Sequence, residues 1–148
     1  VREFLDKASI PYQLIRHRYA ETARSCAEQS RLPAQRLAKG VVLKDGEGFV
    51  VAVLPANRSV DLEAVNRRLN RLLSLADQQD LETLFSDCEL GAVPAVGQAY
   101  DLEVVWDQSI AEEPACCIEA GDHRELVCMS RNSFLQLMAG GCSARICS

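Results

Sequence analysis

No stretch of this chain approaches the roughly 20 consecutive apolar residues that a membrane helix requires, although 48% of its residues are hydrophobic. A membrane-spanning or membrane-anchored protein is therefore not expected. The opening residues Val1 to Lys7 alternate charge with apolar side chains, which excludes the uncharged core of a secretory signal. The chain opens on Val1 rather than Met, which suggests that the numbering starts inside a gene product. No Gly-x-Ser-x-Gly elbow, Gly-rich phosphate loop or His-Glu-x-x-His occurs, and this argues against a serine hydrolase, a nucleotide enzyme or a zinc protease.

Histidine is scarce as well. Only His17 and His123 offer neutral-pH acid–base groups, and two histidines among scattered acids have no metal-ligand spacing, so neither a metal nor a cofactor is expected. Basic residues are outnumbered, 16 to 21, and the net charge of −5 excludes a protein that holds nucleic acid, DNA included, by overall charge. Local contacts survive that argument. Arg16, His17, Arg18, Arg31, Arg36 and Lys39 cluster in sequence and could make one rim positive; Arg67, Arg68 and Arg71 read as a solvated helix face.

Cysteine, by contrast, is plentiful: there are seven. Their number is odd, their spacing irregular, and no Cys-x-x-Cys pair exists, so a reducing cytosol is the simpler home than a disulfide framework. Cys128 and one of the adjacent Cys116 and Cys117 are expected to fill core positions. Thiol chemistry at Cys116 or Cys117 has no pKa-lowering neighbour to support it.

At 148 residues with Pro and Gly at separate punctuation points, the chain reads as one domain over residues 1–138 with a flexible tail over 139–148. Phe4, Leu5 and Ala8 recur at helical spacing, and a strand follows Ile10-Pro11. A second helix is predicted over residues 21–32, with Thr22 as N-cap. Val41-Val42-Leu43 and the run Phe49 to Leu54 flank Lys44-Asp45-Gly46-Glu47-Gly48, and two glycines able to take positive φ predict a hairpin at the centre of a sheet. Amphipathic helices are predicted from Asp61 to Leu69 and from Asp77 to Phe85. Strands are predicted at Leu102 to Trp106, Cys116 to Ala120 and Glu125 to Met129, and a last helix is capped by Ser130. Irregular interleaving favours an α+β domain with a mixed sheet.

Three features remain for chemistry. Lys39 stands at the mouth of the first hairpin strand with no acidic neighbour in sequence; Gly91-Ala92-Val93-Pro94 forms a tight loop after two helices; His123 follows Gly121-Asp122 in a turn. Singly, these read as a solvated flank, a turn and an exposed histidine. Jointly they suit carbonyl chemistry. Backbone N–H groups beside Gly91 would meet a developing oxyanion, and a protonated Lys39, with an ordinary pKa near 10.4, would orient the substrate rather than act as base.

That order resembles the YbaK family, the prolyl-tRNA synthetase associated domain. The likeness lies in Ala38-Lys39-Gly40-Val41-Val42-Leu43-Lys44-Asp45, in the run from Val53 to Leu62, in Cys88-Glu89-Leu90-Gly91-Ala92-Val93-Pro94 and in Ala120-Gly121-Asp122-His123. The resemblance implies an α+β fold whose mixed, partly barrel-like sheet is flanked by helices, and a trans-acting deacylase that hydrolyses the ester of a mischarged tRNA in the cytoplasm. It implies Lys39, Gly91 and Ala92 as catalytic residues, and Gly40, Val93, Pro94, Gly121 and His123 as substrate-binding ones. It further implies no metal, the aminoacyl-tRNA 3′ end as partner, and an aminoacyl-tRNA synthetase as a second. Two positions depart from the family's pattern. Leu90 stands where many relatives begin Gly-x-x-x-Pro, and Gly40 where they often carry Thr or Asn. These motivate an alternative: a non-catalytic module of the same fold that recruits tRNA, a synthetase or a fused regulatory domain.

Overall fold

The turn at Asp45 is where the sequence leaves the backbone least choice. The Asp45 carboxylate accepts from the Glu47 and Gly48 amides at 2.8 and 3.1 Å, and Gly48 takes φ +145°, which a side chain would resist. Gly46 does not share that conformation; one glycine with positive φ is enough. In this computed structural model, which describes residues 2–16 (backbone only at 16), 32–86, 95–119 and 125–147, the turn joins β2 (Leu37–Asp45) to β3 (Gly48–Pro55). The two pair antiparallel from Ala38 opposite Pro55 to Asp45 opposite Gly48.

The other strands are β1 (Gln13–Arg16), β4 (Ser74–Leu75), β5 (Glu103–Asp107), β6 (Ala115–Glu119), β7 (Glu125–Ser130) and β8 (Cys142–Ala144). They form one eight-stranded sheet in the order β1-β7-β6-β2-β3-β5-β8, with β4 on β2. The β2–β6, β3–β5 and β5–β8 pairs are parallel and the rest antiparallel, so the sheet is mixed, as expected. The predicted hairpin lies at its centre. Helices α1 (Arg2–Lys7), α2 (Leu62–Leu69), α3 (Gln78–Leu84) and α4 (Arg131–Leu137) flank it. The caps follow from chemistry legible in the sequence: Asp61 accepts from the Ala64 amide, Asp77 and Asp80 form a reciprocal capping box, and Ser130 accepts from the Ser133 amide.

Alternation along β3 sorts its side chains into two layers. Val51 and Val53 join Val104, Ile118, Val127 and Phe134 on one face. Val50, Ala52 and Leu54 join Val65 of α2, Leu73, Val105 and Ile146 on the other. All five β3 residues are fully buried, which accounts for the unbroken apolar run. Each such valine or leucine side chain contributes on the order of 1.5–3 kcal/mol by burial, and Ala52 less.

Two expectations need correction. The described part of the expected tail, residues 139–147, is not loose: β8 extends the sheet beside β5, Ile146 is fully buried, and its amide donates to Asp107 at 2.8 Å. The short apolar content of that segment hid this, because one isoleucine in the right register suffices. Cys116 fills a core position as expected, but Cys128, with Cys117, does more than fill space. They face each other across the β6–β7 ladder with Cα atoms 4.0 Å apart and form a disulfide, a pairing that only the strand register reveals. The helix predicted over residues 21–32 falls outside the described residues apart from its last position.

Candidate functional site

Lys39 is the third residue of β2, not its first, so its position is fixed by the ladder rather than by a fraying end. It lies opposite Leu54. Its side chain is half-buried, and Nζ donates to the Ala56 carbonyl at 3.4 Å. Ala56 is itself held, its amide donating to the Leu37 carbonyl at 2.8 Å. The lysine thus belongs to a closed circuit of β2 and the chain leaving β3, and the reading of an idle, solvated flank does not describe it.

Alternation sets Lys39 with Leu37, Val41 and Leu43 on the α2 face, while Gly40 goes with Ala38 and Val42 to the opposite face. A side chain at position 40 would therefore point away from Lys39. Around the lysine, Val41 and Leu54 belong to the layer under α2, and Leu37, Ala56, Cys117 and Leu126 form a separate apolar cluster. A cation emerging between two apolar patches can hold a ligand whose ends differ in polarity.

The parallel register Leu37 to Cys117 and Ala38 to Ile118, carried one residue further, sets half-buried Glu119 alongside Lys39 on the same face. Inspection of the sequence missed this carboxylate, since 80 positions separate the two and only the β2–β6 pairing joins them. Lys39 and Glu119 each make further interactions beyond those described above. Gly91, Ala92, Val93, Pro94, Gly121 and His123 all lie outside the described residues, so the proximity of the two loops to Lys39 is not described. Of the expected site residues, Lys39 and Gly40 alone are placed.

Among the described thiols, Cys116, Cys117 and Cys147 offer no rival nucleophile. Burial pushes the Cys116 thiol up to about 12, and Cys117 is bonded to Cys128. Cys147 is raised to about 11 by burial and by the neighbouring Asp107 carboxylate. Asp107 is a buried acid that sequence inspection also passed over. Burial opposes its ionisation, yet donors from Ser109 and the Ile146 amide outweigh burial and hold its pKa below the ordinary value. The Ser109 hydroxyl makes an especially close contact with it. This carboxylate anchors the Ile146 segment to β5. Among the described residues no group of three His, Cys, Asp or Glu could hold a metal ion, and no helix is long and apolar enough to cross a membrane.

A family model for the aminoacyl-tRNA editing domain matches residues 17–137. The chain belongs to that family. Among solved structures, a candidate trans-editing enzyme for prolyl-tRNA synthetase superposes with a TM-score of 0.86 at 19% identity, over 99% of this chain and 94% of that one. A hypothetical protein gives 0.87 at 15% identity, over 99% and 98%. A candidate signal transduction protein from Marinobacter aquaeolei VT8 gives 0.78 at 22% identity over 99% of this chain, which spans only 30% of that longer one. At these identities the likenesses show the fold alone. No curated protein matches the chain.

Proposed function

We propose that this protein is a trans-acting aminoacyl-tRNA deacylase that removes mischarged amino acids in the cytoplasm. The observation that carries the reading is the half-buried Lys39, tied to the Ala56 carbonyl between two apolar patches, in a chain of the editing-domain family. In the reaction, water adds to the ester carbonyl, the bond from that carbon to the ribose oxygen breaks, and a free amino acid and an intact tRNA terminus leave. Lys39 orients the terminal nucleotide or the amino-acid carbonyl as a charged donor. The N–H groups of Gly91 and Ala92 stabilise the oxyanion, while Val93, Pro94, Gly121 and His123 line the amino-acid pocket, with Gly40 contributing backbone only.

Attack is assisted by a ribose hydroxyl of the tRNA terminus or by the substrate's own side chain. The partner is the 3′ end of an aminoacyl-tRNA, with an aminoacyl-tRNA synthetase as a second partner; the trans-editing neighbour makes prolyl-tRNA synthetase the first to test. Incubation with a panel of mischarged tRNAs checks the reading. Hydrolysis of at least one ester well above its spontaneous rate is expected, and spontaneous rates across the panel would refute it.

One observation favours a second reading, a non-catalytic module. The same fold occupies about a third of a longer candidate signal transduction protein. Binding of charged and uncharged tRNA with equal affinity, without turnover, would decide for it.

A further inference from the structure

The sequence cluster Arg67, Arg68 and Arg71 does not behave as one unit. Arg71 is spent: its guanidinium grips Asp45 at 2.6 and 2.7 Å and reaches Glu103 at 2.9 Å. Other described cations are likewise neutralised, Arg2 by Glu125, Arg36 by Glu113 and Lys44 by Asp77 and Asp80. Lys7 of α1 and Arg131 of α4 are exposed and form no ion pair among the described residues, and the same holds, in a different part of the chain, for Arg58, Arg67, Arg68 and Arg145.

The fold gathers these four arginines on one edge. The Asp61 amide donates to the Ile146 carbonyl at 2.6 Å and Val60 bridges Cys147, so the turn carrying Arg58 is zipped to the segment carrying Arg145. Arg58 is close enough to Cys147 for its charge to act on that thiol. Arg68 of α2 donates to the Ser143 carbonyl of β8 at 3.3 Å, and Arg67 is its neighbour. The acids of this edge are few. Asp61 is turned into the α2 N-terminus, where it accepts from Ala64, Asp107 is buried beneath, and exposed Glu63 stands four residues before Arg67. In a chain of net charge −5, such a local excess of unpaired guanidinium is a surface built for an anion.

We infer that this edge binds the phosphodiester backbone of the tRNA acceptor arm, an inference that rests on the deacylase reading for its partner. Continuity with Lys39 supports it. The Ala56 carbonyl holds the lysine, and two residues on, the Arg58 amide donates to Pro55 at 3.0 Å, so the row begins about 7 Å of chain from the lysine's anchor. Lys39, α2 and the Ile146 segment all lie on the same side of the sheet. A polymer whose terminal ester sits at Lys39 must lay its preceding phosphates on some flank, and guanidinium forks match phosphate oxygens in pairs.

The test uses Arg58→Gln, Arg68→Gln and Arg145→Gln, singly and with Arg67→Gln as a quadruple variant, each checked for an unchanged melting temperature. Affinity for uncharged tRNA is measured against salt. The quadruple variant should bind at least tenfold more weakly at moderate salt, and the slope of log K against log salt should shrink by about one for each phosphate contact removed. On a mischarged tRNA, KM should rise with kcat retained, while hydrolysis of a short aminoacyl-adenosine ester stays at the parental rate. An unchanged salt slope would overturn the inference. So would an equal loss on the short ester, or competition by polyglutamate as effective as tRNA at equal charge. If the parent protein cleaves no ester but its salt-dependent tRNA binding is lost in the quadruple variant, the deacylase reading fails and this surface stands.

Discussion

The Lys39 ammonium donates to the Ala56 carbonyl at 3.4 Å, joining the third residue of β2 to the chain just beyond the end of β3. This single contact turns a cation that looked like a strand flank into one with a fixed position. A lysine so held keeps its ammonium in a constant place, which is what orientation of a substrate carbonyl requires.

The anchored C-terminal segment gives the first prediction. Ile146 is fully buried between α2 and the sheet, so Ile146→Ala should cost about 2–5 kcal/mol, the range for large-to-small core changes. Chemical denaturation of parent and variant measures it. A change within about 0.5 kcal/mol, as for an exposed site, would restore the flexible tail.

A second prediction concerns Gly97, buried next to Val104 and Val51. A β-carbon placed there would lie 2.8 Å from a Val104 methyl and 2.9 Å from a Val51 methyl. Gly97→Ala should therefore overpack this layer and destabilise by about 1–3 kcal/mol, measurable by thermal melting. Gly46→Ala, where nothing lies within 4 Å, is the control and should be close to neutral.

The hairpin turn carries a pH signature. Arg71, followed by the Glu47 amide, lowers the Asp45 pKa from its ordinary 3.8 to about 2. A depressed carboxylate stabilises the fold fully above its unfolded pKa and loses that contribution as pH falls between about 4 and 2. Asp45→Asn should lower the melting temperature at pH 7, and the gap to the parent should close by pH 2. A gap independent of pH would assign the loss to turn geometry instead.

Much of this fold was legible in the sequence where local chemistry and global packing agree. Asp45 to Gly48 specified a turn, the β-branched run from Phe49 to Leu54 specified a central strand, and Asp61, Asp77 and Ser130 marked helix starts. What escaped depends on pairing between distant strands. Nothing near Cys117 announces Cys128, nothing near Asp107 announces Ile146, and nothing near Lys39 announces Glu119. Of the candidate site, the sequence pattern singled out Lys39 and the structure gives it surroundings; it also turns Gly40 to the opposite face. Four scattered arginines became one edge only when α2, β8 and the turn after β3 were brought together.

The central claim is that Lys39 positions an aminoacyl ester, and Lys39→Ala tests it most directly. On the mischarged tRNA that the parent hydrolyses fastest, the variant should lose at least about a hundredfold in kcat/KM, the equivalent of about 2.7 kcal/mol of transition-state stabilisation. Its melting temperature should stay near that of the parent, because the lysine is half-buried and belongs to none of the buried apolar clusters. A folded Lys39→Ala protein that deacylates at the parental rate would contradict the account.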